Sequence, residues 1–165
     1  MRKILTSLIP AALLVGATSS AFAGGSKGSI GVGGEVMMTG LGGVSGNYDM
    51  GDFHVGGFLG FADAGGDDDT DVSLGGRFFY HVHSTAMSDF GVGGSVGLGF
   101  SGDGDPDTDN PTILILEPGI QIRAFIVSNV ALSLTAGIGV GLADAEGVVL
   151  DTQLQGGAGI HYYFF

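Results

Sequence analysis

Four charged residues lie in segments where apolar side chains alternate with small or polar ones: Glu35, Arg77, Glu117 and Arg123. If these segments are β-strands, alternate side chains point to opposite faces, and all four charges share the face away from the apolar residues. A charge buried alone is costly, so charges enclosed on an inner face must be paired. We therefore predict an ion-paired cluster. The alternative is a charged constriction inside a small channel.

Three histidines take the same face as these charges: His54, His81 and His161. Imidazole is a common metal ligand. No local ligand motif accompanies the three histidines, and Arg123, expected at a similar height, would repel a cation. We expect the three rings to form hydrogen bonds with water or with neighbouring polar side chains, and we predict no confident metal site.

Two segments between the alternating stretches are rich in aspartate. The residues are Asp67, Asp68, Asp69 and Asp71 in the first segment, and Asp103, Asp105, Asp107 and Asp109 in the second. Hard cations such as Ca²⁺ and Mg²⁺ take several carboxylate oxygens. The second segment superficially resembles a calcium loop but lacks the terminal glutamate at EF-hand spacing. The favoured interpretation is a pair of solvated acidic loops, with weak Ca²⁺ or Mg²⁺ binding as the alternative.

Catalysis by a nucleophile requires a nucleophile, a base and a group that orients the base, all converging. His83 and Ser84 are adjacent, but no acidic residue near them is placed to orient the histidine. No catalytic residue and no cofactor is predicted, which leaves a lipid-modifying barrel enzyme as a minor alternative.

The alternating stretches themselves predict an all-β protein. Period-two alternation from Leu114 to Gly141 indicates two long strands joined by a turn at Ser128-Asn129. The same pattern predicts eight strands in all, at about 29–39, 43–50, 53–62, 71–82, 90–100, 114–124, 130–141 and 149–164. Pro118 cannot donate a ladder hydrogen bond, so we expect a bulge or a local bend there.

The distribution of charge among these strands indicates a membrane-spanning antiparallel up-and-down β-barrel. A charge that faces hydrocarbon costs roughly 2–4 kcal/mol at the bilayer midplane, which would place every strand charge on the inner face. The acidic connections at 63–70, 101–111 and 144–147 fall at one end of the strands, and tight turns fall at the other. Outer-membrane barrels show this asymmetry of long loops and short turns.

Residues 1–23 are typical of a cleavable signal peptide. Arg2 and Lys3 precede an apolar stretch, and Ala21-Phe22-Ala23 supplies small residues at a cleavage site. The predicted barrel domain is therefore 24–165. It would carry three Lys and Arg residues against 17 Asp and Glu residues, a formal charge of −14. This balance argues against nucleic acid as a partner, because phosphate binding requires Lys and Arg.

Two short motifs add a family resemblance. The turn Tyr48-Asp49-Met50-Gly51-Asp52-Phe53 and the aromatic end His161-Tyr162-Tyr163-Phe164-Phe165, together with the signal peptide and the alternating strands, resemble the small eight-stranded outer-membrane barrels of the OmpA/OmpX-like superfamily. Barrels of that family end on an outward Phe. Here the outward set of the last strand ends on Phe164, one residue early.

The resemblance implies export through the general secretory route to the outer membrane. It also implies contact with periplasmic chaperones, with the barrel-insertion machinery, and with lipid and lipopolysaccharide. The leading prediction is a structural or surface-interaction protein with acidic extracellular loops and an ion-paired lumen. The first alternative is a small passive porin for solutes or ions. A soluble secreted barrel, with its apolar face turned inward around a ligand, is a further alternative.

Overall fold

The computed structural model describes residues 25–63, 70–101, 112–143, 147–149 and 156–164. These residues form ten strands: β1 (Ile30–Val36), β2 (Gly42–Asp49), β3 (Phe53–Asp63), β4 (Thr70–Ser84), β5 (Ser88–Ser101), β6 (Thr112–Val127), β7 (Val130–Gly137), β8 (Gly139–Ala143), β9 (Gly147–Val149) and β10 (Gly156–Phe164). No helix within these ranges is both long and apolar enough to cross a membrane. The predicted signal peptide lies outside the described residues.

The strands close into an eight-stranded antiparallel barrel. Each strand from β1 to β6 pairs with the next, β7 pairs with β10, and β10 pairs with β1, where Ile30 lies opposite Phe164. β8 continues β7 along the same edge of β6, and the short β9 is added beside β8. The predicted all-β class and eight-stranded antiparallel barrel are confirmed.

Pro118 lies on β6, which continues past it, but the neighbouring strand is interrupted there. The register between β5 and β6 passes Pro118 without a shift, so the expected bulge is not found there. Ile138 donates its N–H to the Pro118 carbonyl at 3.0 Å, but Pro118 has no N–H to return. β7 therefore ends at Gly137 and β8 begins at Gly139, where one continuous strand was predicted.

The two faces of the wall have opposite polarity. Large apolar side chains project outward from the strands, with 71% of Val44 and 63% of Leu134 exposed. The buried polar residues of the strands are Ser45, Asn47, Asp49, His54, Asp89, Glu117, Gln121, Arg123, Ser133 and His161. This arrangement is the reverse of a water-soluble core, in which large apolar residues are the most often buried. The soluble alternative requires an inward apolar face, whereas in the described interior buried Phe58, Phe79 and Phe125 lie among these polar residues.

The residues of β10 that face outward are the ones predicted. Phe164 is exposed on the outer wall, while His161 and Tyr163 are buried inside the barrel. Met38, which the alternation places outward, is instead buried because β1 ends at Val36 and the chain then turns into the barrel.

Candidate functional site: the barrel interior

Arg77 organises a polar network at mid-height of the barrel. β1 carries Glu35, β2 carries Asn47 and β4 carries Arg77, all on the inward face. The Arg77 Nη2 atom lies 2.6 Å from the Glu35 Oε2 atom. Its Nε and Nη2 atoms donate to the Asn47 Oδ1 atom at 3.1 and 2.7 Å. The structure thus brings together two of the four predicted interior charges as a buried ion pair.

His161 belongs to this network. Its Nε2 atom lies 2.6 Å from the Ser45 hydroxyl, 3.4 Å from Arg77 Nη2 and 3.6 Å from Glu35 Oε2. The sequence pattern predicts that His161 lies near His54 and His81, but β10 places it beside the mid-height ion pair instead. The register explains the difference, because His161 lies opposite Gly33 of β1, two residues from Glu35.

The contact between Ser45 and His161 has the spacing of a nucleophile and its base. A catalytic triad places the orienting carboxylate on the other ring nitrogen, so that the base is free to take the serine proton. Here Glu35 lies near the same Nε2 atom that contacts Ser45. Both Ser45 and His161 are buried. This geometry fits a polar packing contact better than a reaction centre.

Arg123 organises a second network, nearer the end of the barrel that carries the short turns. Its Nη2 atom lies 2.5 Å from Asp49 Oδ2 and 2.6 Å from Asp89 Oδ2, and its Nε atom donates to Asp89 Oδ2 at 2.9 Å. The guanidinium also lies over the rings of Phe125 and Tyr163, 5.2 and 5.6 Å from their centres. Bonds to two carboxylates and contact with two aromatic faces hold the guanidinium in one orientation.

Sequence reasoning missed both acids of this network. Asp49 and Asp89 stand at strand ends, where aspartate is common in turns. A signal was present, since Asp49 has the same inward phase as Ser45 and Asn47 on β2. We call Asp49, Asp89 and Arg123 the acid network. The inward phase of Asp49 would have allowed its contact with Arg123 to be predicted.

Tyr163 joins the two networks. Its hydroxyl accepts a hydrogen bond from Arg123 Nη1 at 3.2 Å and a longer one from Asn47 Nδ2 at 3.5 Å. Asn47 in turn accepts from Arg77. A chain of polar contacts therefore runs along the interior from the mid-height network to the acid network.

His54 and His81 form a separate pair near the short turns. His81 Nδ1 lies 2.8 Å from the Gly51 carbonyl, and because a carbonyl only accepts, this nitrogen donates. The His81 Nε2 atom lies 2.8 Å from His54 Nδ1, and the His54 ring stacks on Phe79. Within the described ranges, no group of three potential ligands could hold a metal ion.

Glu117 has a different role from the one expected. Its two carboxylate oxygens accept backbone N–H groups, Oε2 from Met38 at 3.1 Å and Oε1 from Thr39 at 2.8 Å. These residues belong to the connection between β1 and β2, residues 37–41, which we call the inner turn. The four predicted charges therefore do not form one cluster: Glu35 and Arg77 pair, while Glu117 and Arg123 take part in separate contacts.

The inner turn occupies the end of the barrel opposite the short turns. β5 and β6 lie across the barrel from β1 and β2, and the turn reaches over to them. Met37 packs in a buried apolar cluster with Phe58 and Ile115, and Leu41 borders it. Gly97 makes room, because a Cβ at that position would lie 2.8 Å from Met37 Sδ and 2.9 Å from Leu41 Cδ1.

Little space remains between the mid-height network and the inner turn. The cavity there has a volume of about 10 Å³ and is lined by Glu35, Arg77, Met37, Ser95 and Glu117, among others. One water molecule needs about 10–15 Å³. Polar side chains and the inner turn therefore fill this part of the described interior almost completely.

Seven of the eight aspartates predicted to form weak cation loops lie outside the described residues: Asp67, Asp68, Asp69, Asp103, Asp105, Asp107 and Asp109. The eighth, Asp71, is exposed at the start of β4, in register with Ala62 and Ser101. The Ca²⁺ or Mg²⁺ hypothesis for these loops stays a prediction.

Comparison with known proteins adds no family to this description. No protein-family model matches the chain, and no curated protein or solved structure is significantly similar to it. Function is therefore inferred from the polarity of the barrel wall and from the contents of its interior.

Proposed function

We propose that this chain is an outer-membrane β-barrel with a closed lumen, which serves as a membrane anchor and presents its acidic connections at the cell surface. The observation that carries the proposal is the reversed polarity of the wall. Large apolar side chains face outward from the strands, and Glu35, Arg77, Glu117 and Arg123 face inward. Water would not stabilise this arrangement, whereas lipid hydrocarbon would.

Closure of the lumen is supported by three interior contacts at different heights. The acid network lies near the short turns, the pair of Glu35 and Arg77 lies at mid-height, and the inner turn is seated on Glu117 at the other end. An eight-stranded barrel has an interior just wide enough for side chains to fill. These contacts favour an anchor over the porin alternative, in which a continuous water path must remain.

The biological partners follow from the proposed location. Export through the general secretory route would bring the chain to periplasmic chaperones and the barrel-insertion machinery, as expected for an OmpA/OmpX-like barrel. Lipid and lipopolysaccharide would surround the wall. The net negative charge suits loops that bind Ca²⁺ or Mg²⁺, which would bridge them to anionic lipopolysaccharide.

A pair of arginine substitutions on the outer wall tests the location. Leu134 is 63% exposed and faces outward in the middle part of its strand, while Ile126 is 55% exposed near the short turns. In a membrane, Leu134→Arg should destabilise the barrel by roughly 2–4 kcal/mol and Ile126→Arg by about 0–1 kcal/mol, because the penalty falls toward the interface. In water, both exposed sites should tolerate arginine equally.

The measurement is the yield of folded, heat-modifiable protein recovered from outer-membrane fractions of cells expressing each variant. The proposal expects Ile126→Arg to match the unsubstituted chain and Leu134→Arg to fall well below it. Equal yields for the two variants, or recovery of the chain in the soluble periplasmic fraction, would contradict a membrane location.

A further inference from the structure

A cavity of about 280 Å³ lies at the end of the barrel opposite the short turns. The inner turn lines one side of it, and the ends of β3 and β5 and the starts of β4 and β6 line the rest. We call this space the mouth cavity. Its volume lies just below the range of about 300–1,000 Å³ that is usual for small-molecule pockets. The mouth cavity is therefore large enough for a small ligand.

The apolar part of the lining comes from the inner turn and β6. Leu41 and Ile113 both line the mouth cavity, and both pack against the buried apolar cluster around Met37. Gly99 leaves these two side chains uncovered, because a Cβ at that position would lie 3.2 Å from Leu41 Cδ2 and 3.9 Å from Ile113 Cβ. The mouth cavity thus offers an apolar surface that the interior of the barrel supports from behind.

The polar part of the lining carries a single charge. Ser73 Oγ donates to the Gly42 carbonyl at 3.0 Å, so this face of β4 is directed into the barrel. Asp71 lies two residues before Ser73 and shares that face. The Asp71 side chain is exposed, and no described residue forms an ion pair with it. Ser101, in register with Asp71 on β5, adds a hydroxyl to the lining.

We propose that the mouth cavity binds a small primary amine with an apolar body. The ammonium group lies against Asp71 and Ser101, and the apolar body lies on Leu41 and Ile113. A carboxylate or a phosphate is disfavoured, because the described lining carries a negative charge and no positive one. Binding requires a folded barrel but no open lumen, so it adds a ligand to the anchor proposed above.

The probe is 2-phenylethylamine, an ammonium ion at neutral pH, titrated into the isotope-labelled chain refolded in detergent micelles. NMR follows the backbone amides of Ser101 and Ile113 at the mouth cavity and of Gln121, which lies further along β6 toward the short turns. Two analogues separate the two parts of the ligand. The first, 2-phenylethanol, has the apolar body without the charge, and methylammonium has the charge without the body.

We expect saturable chemical-shift changes at Ser101 and Ile113 with the full probe, and none at Gln121. An ion pair with an exposed carboxylate contributes up to about a fivefold change in affinity, so 2-phenylethanol should bind about fivefold more weakly. Methylammonium should also bind more weakly, because it buries no apolar surface on Leu41 and Ile113.

Three substitutions locate the binding. Asp71→Asn removes the charge of the lining and should weaken binding of 2-phenylethylamine about fivefold. Asp52→Asn is the matched control, because Asp52 is exposed at the short-turn end, and it should leave binding unchanged. Ala62→Leu places an apolar side chain in the mouth cavity, opposite Asp71, and should abolish the saturable shifts. Ala62 and Asp71 are both exposed, so both variants should fold, which heat-modifiable migration verifies.

An analogue that binds as tightly as the full probe, or equal binding by Asp71→Asn and Asp52→Asn, would overturn the inference. Shifts that persist in Ala62→Leu would overturn it as well, since they report the probe in the detergent or on the outer wall. Absence of saturable shifts in the folded, unsubstituted chain would have the same meaning. None of these results bears on the membrane location, because binding is measured on the folded barrel itself.

Discussion

Replacing Glu117 with alanine should release the inner turn without unfolding the barrel. Glu117 is 1% exposed, and its carboxylate is the acceptor for the backbone N–H groups of Met38 and Thr39, at 3.1 and 2.8 Å. Alanine leaves the buried Met38 N–H and the part-buried Thr39 N–H without this acceptor. The paired strands of the wall do not depend on these two bonds, so we expect a local effect.

The size of the effect follows from the two bonds. A hydrogen bond to a charged group contributes about 1.5–3 kcal/mol, so the loss of both should lower the free energy of local opening by about 3 kcal/mol or more. Since 1.36 kcal/mol is a factor of ten, the two amides should exchange with solvent at least about a hundred times faster. Glu117→Gln retains one acceptor oxygen and should show a smaller increase, about tenfold.

Amide hydrogen exchange in detergent micelles, followed by NMR, measures this opening residue by residue. Gln121→Ala is a matched control, because Gln121 is buried on the same face of β6 and its amide donates to Thr135 at 3.2 Å, away from the inner turn. It should leave the exchange of Met38 and Thr39 unchanged. Unchanged exchange in Glu117→Ala, or equal acceleration across all strands, would refute the role given to Glu117.

Two further substitutions probe the acid network and the seat of the inner turn. Arg123→Leu leaves two buried carboxylates without their cation and should lower the free energy of unfolding, measured by urea titration, by about 3–5 kcal/mol. The triple variant that adds Asp49→Asn and Asp89→Asn should recover most of that stability. Equal losses of stability in the single and the triple variant would contradict the pairing of Arg123 with the two acids. Gly97→Val should displace the inner turn and lower the free energy of unfolding by about 1–3 kcal/mol in the same titration. In a Met37→Ala background most of this effect should disappear. If the effects of the two substitutions simply add, the introduced valine clashes with a group other than Met37.

The strands and their faces could be predicted because alternation with a period of two is a local signal. Leu134, Arg123 and Phe164 each take the face that their sequence neighbours indicate. Closure of the barrel was predictable for a related reason, since an even number of strands lets the first and the last pair in the antiparallel sense when the sheet closes. The pairing of Ile30 with Phe164 completes it.

The contents of the lumen were only partly predictable, because they depend on the stagger between strands. Alternation says that Glu35, Arg77 and His161 point inward, but not that they meet at one height. The inner turn was also hidden. Met37 and Met38 read as a continuation of β1, and the bond that folds them inward comes from Glu117, about 80 residues along the chain.

Conductance of the refolded chain in a planar lipid bilayer tests the closed lumen most directly. We predict a folded barrel that inserts and remains silent, because polar side chains and the inner turn leave a cavity of only about 10 Å³ between Arg77 and Glu117 in the described interior. Discrete, reproducible current steps that change in Arg77→Ala would contradict it and would make the chain a channel.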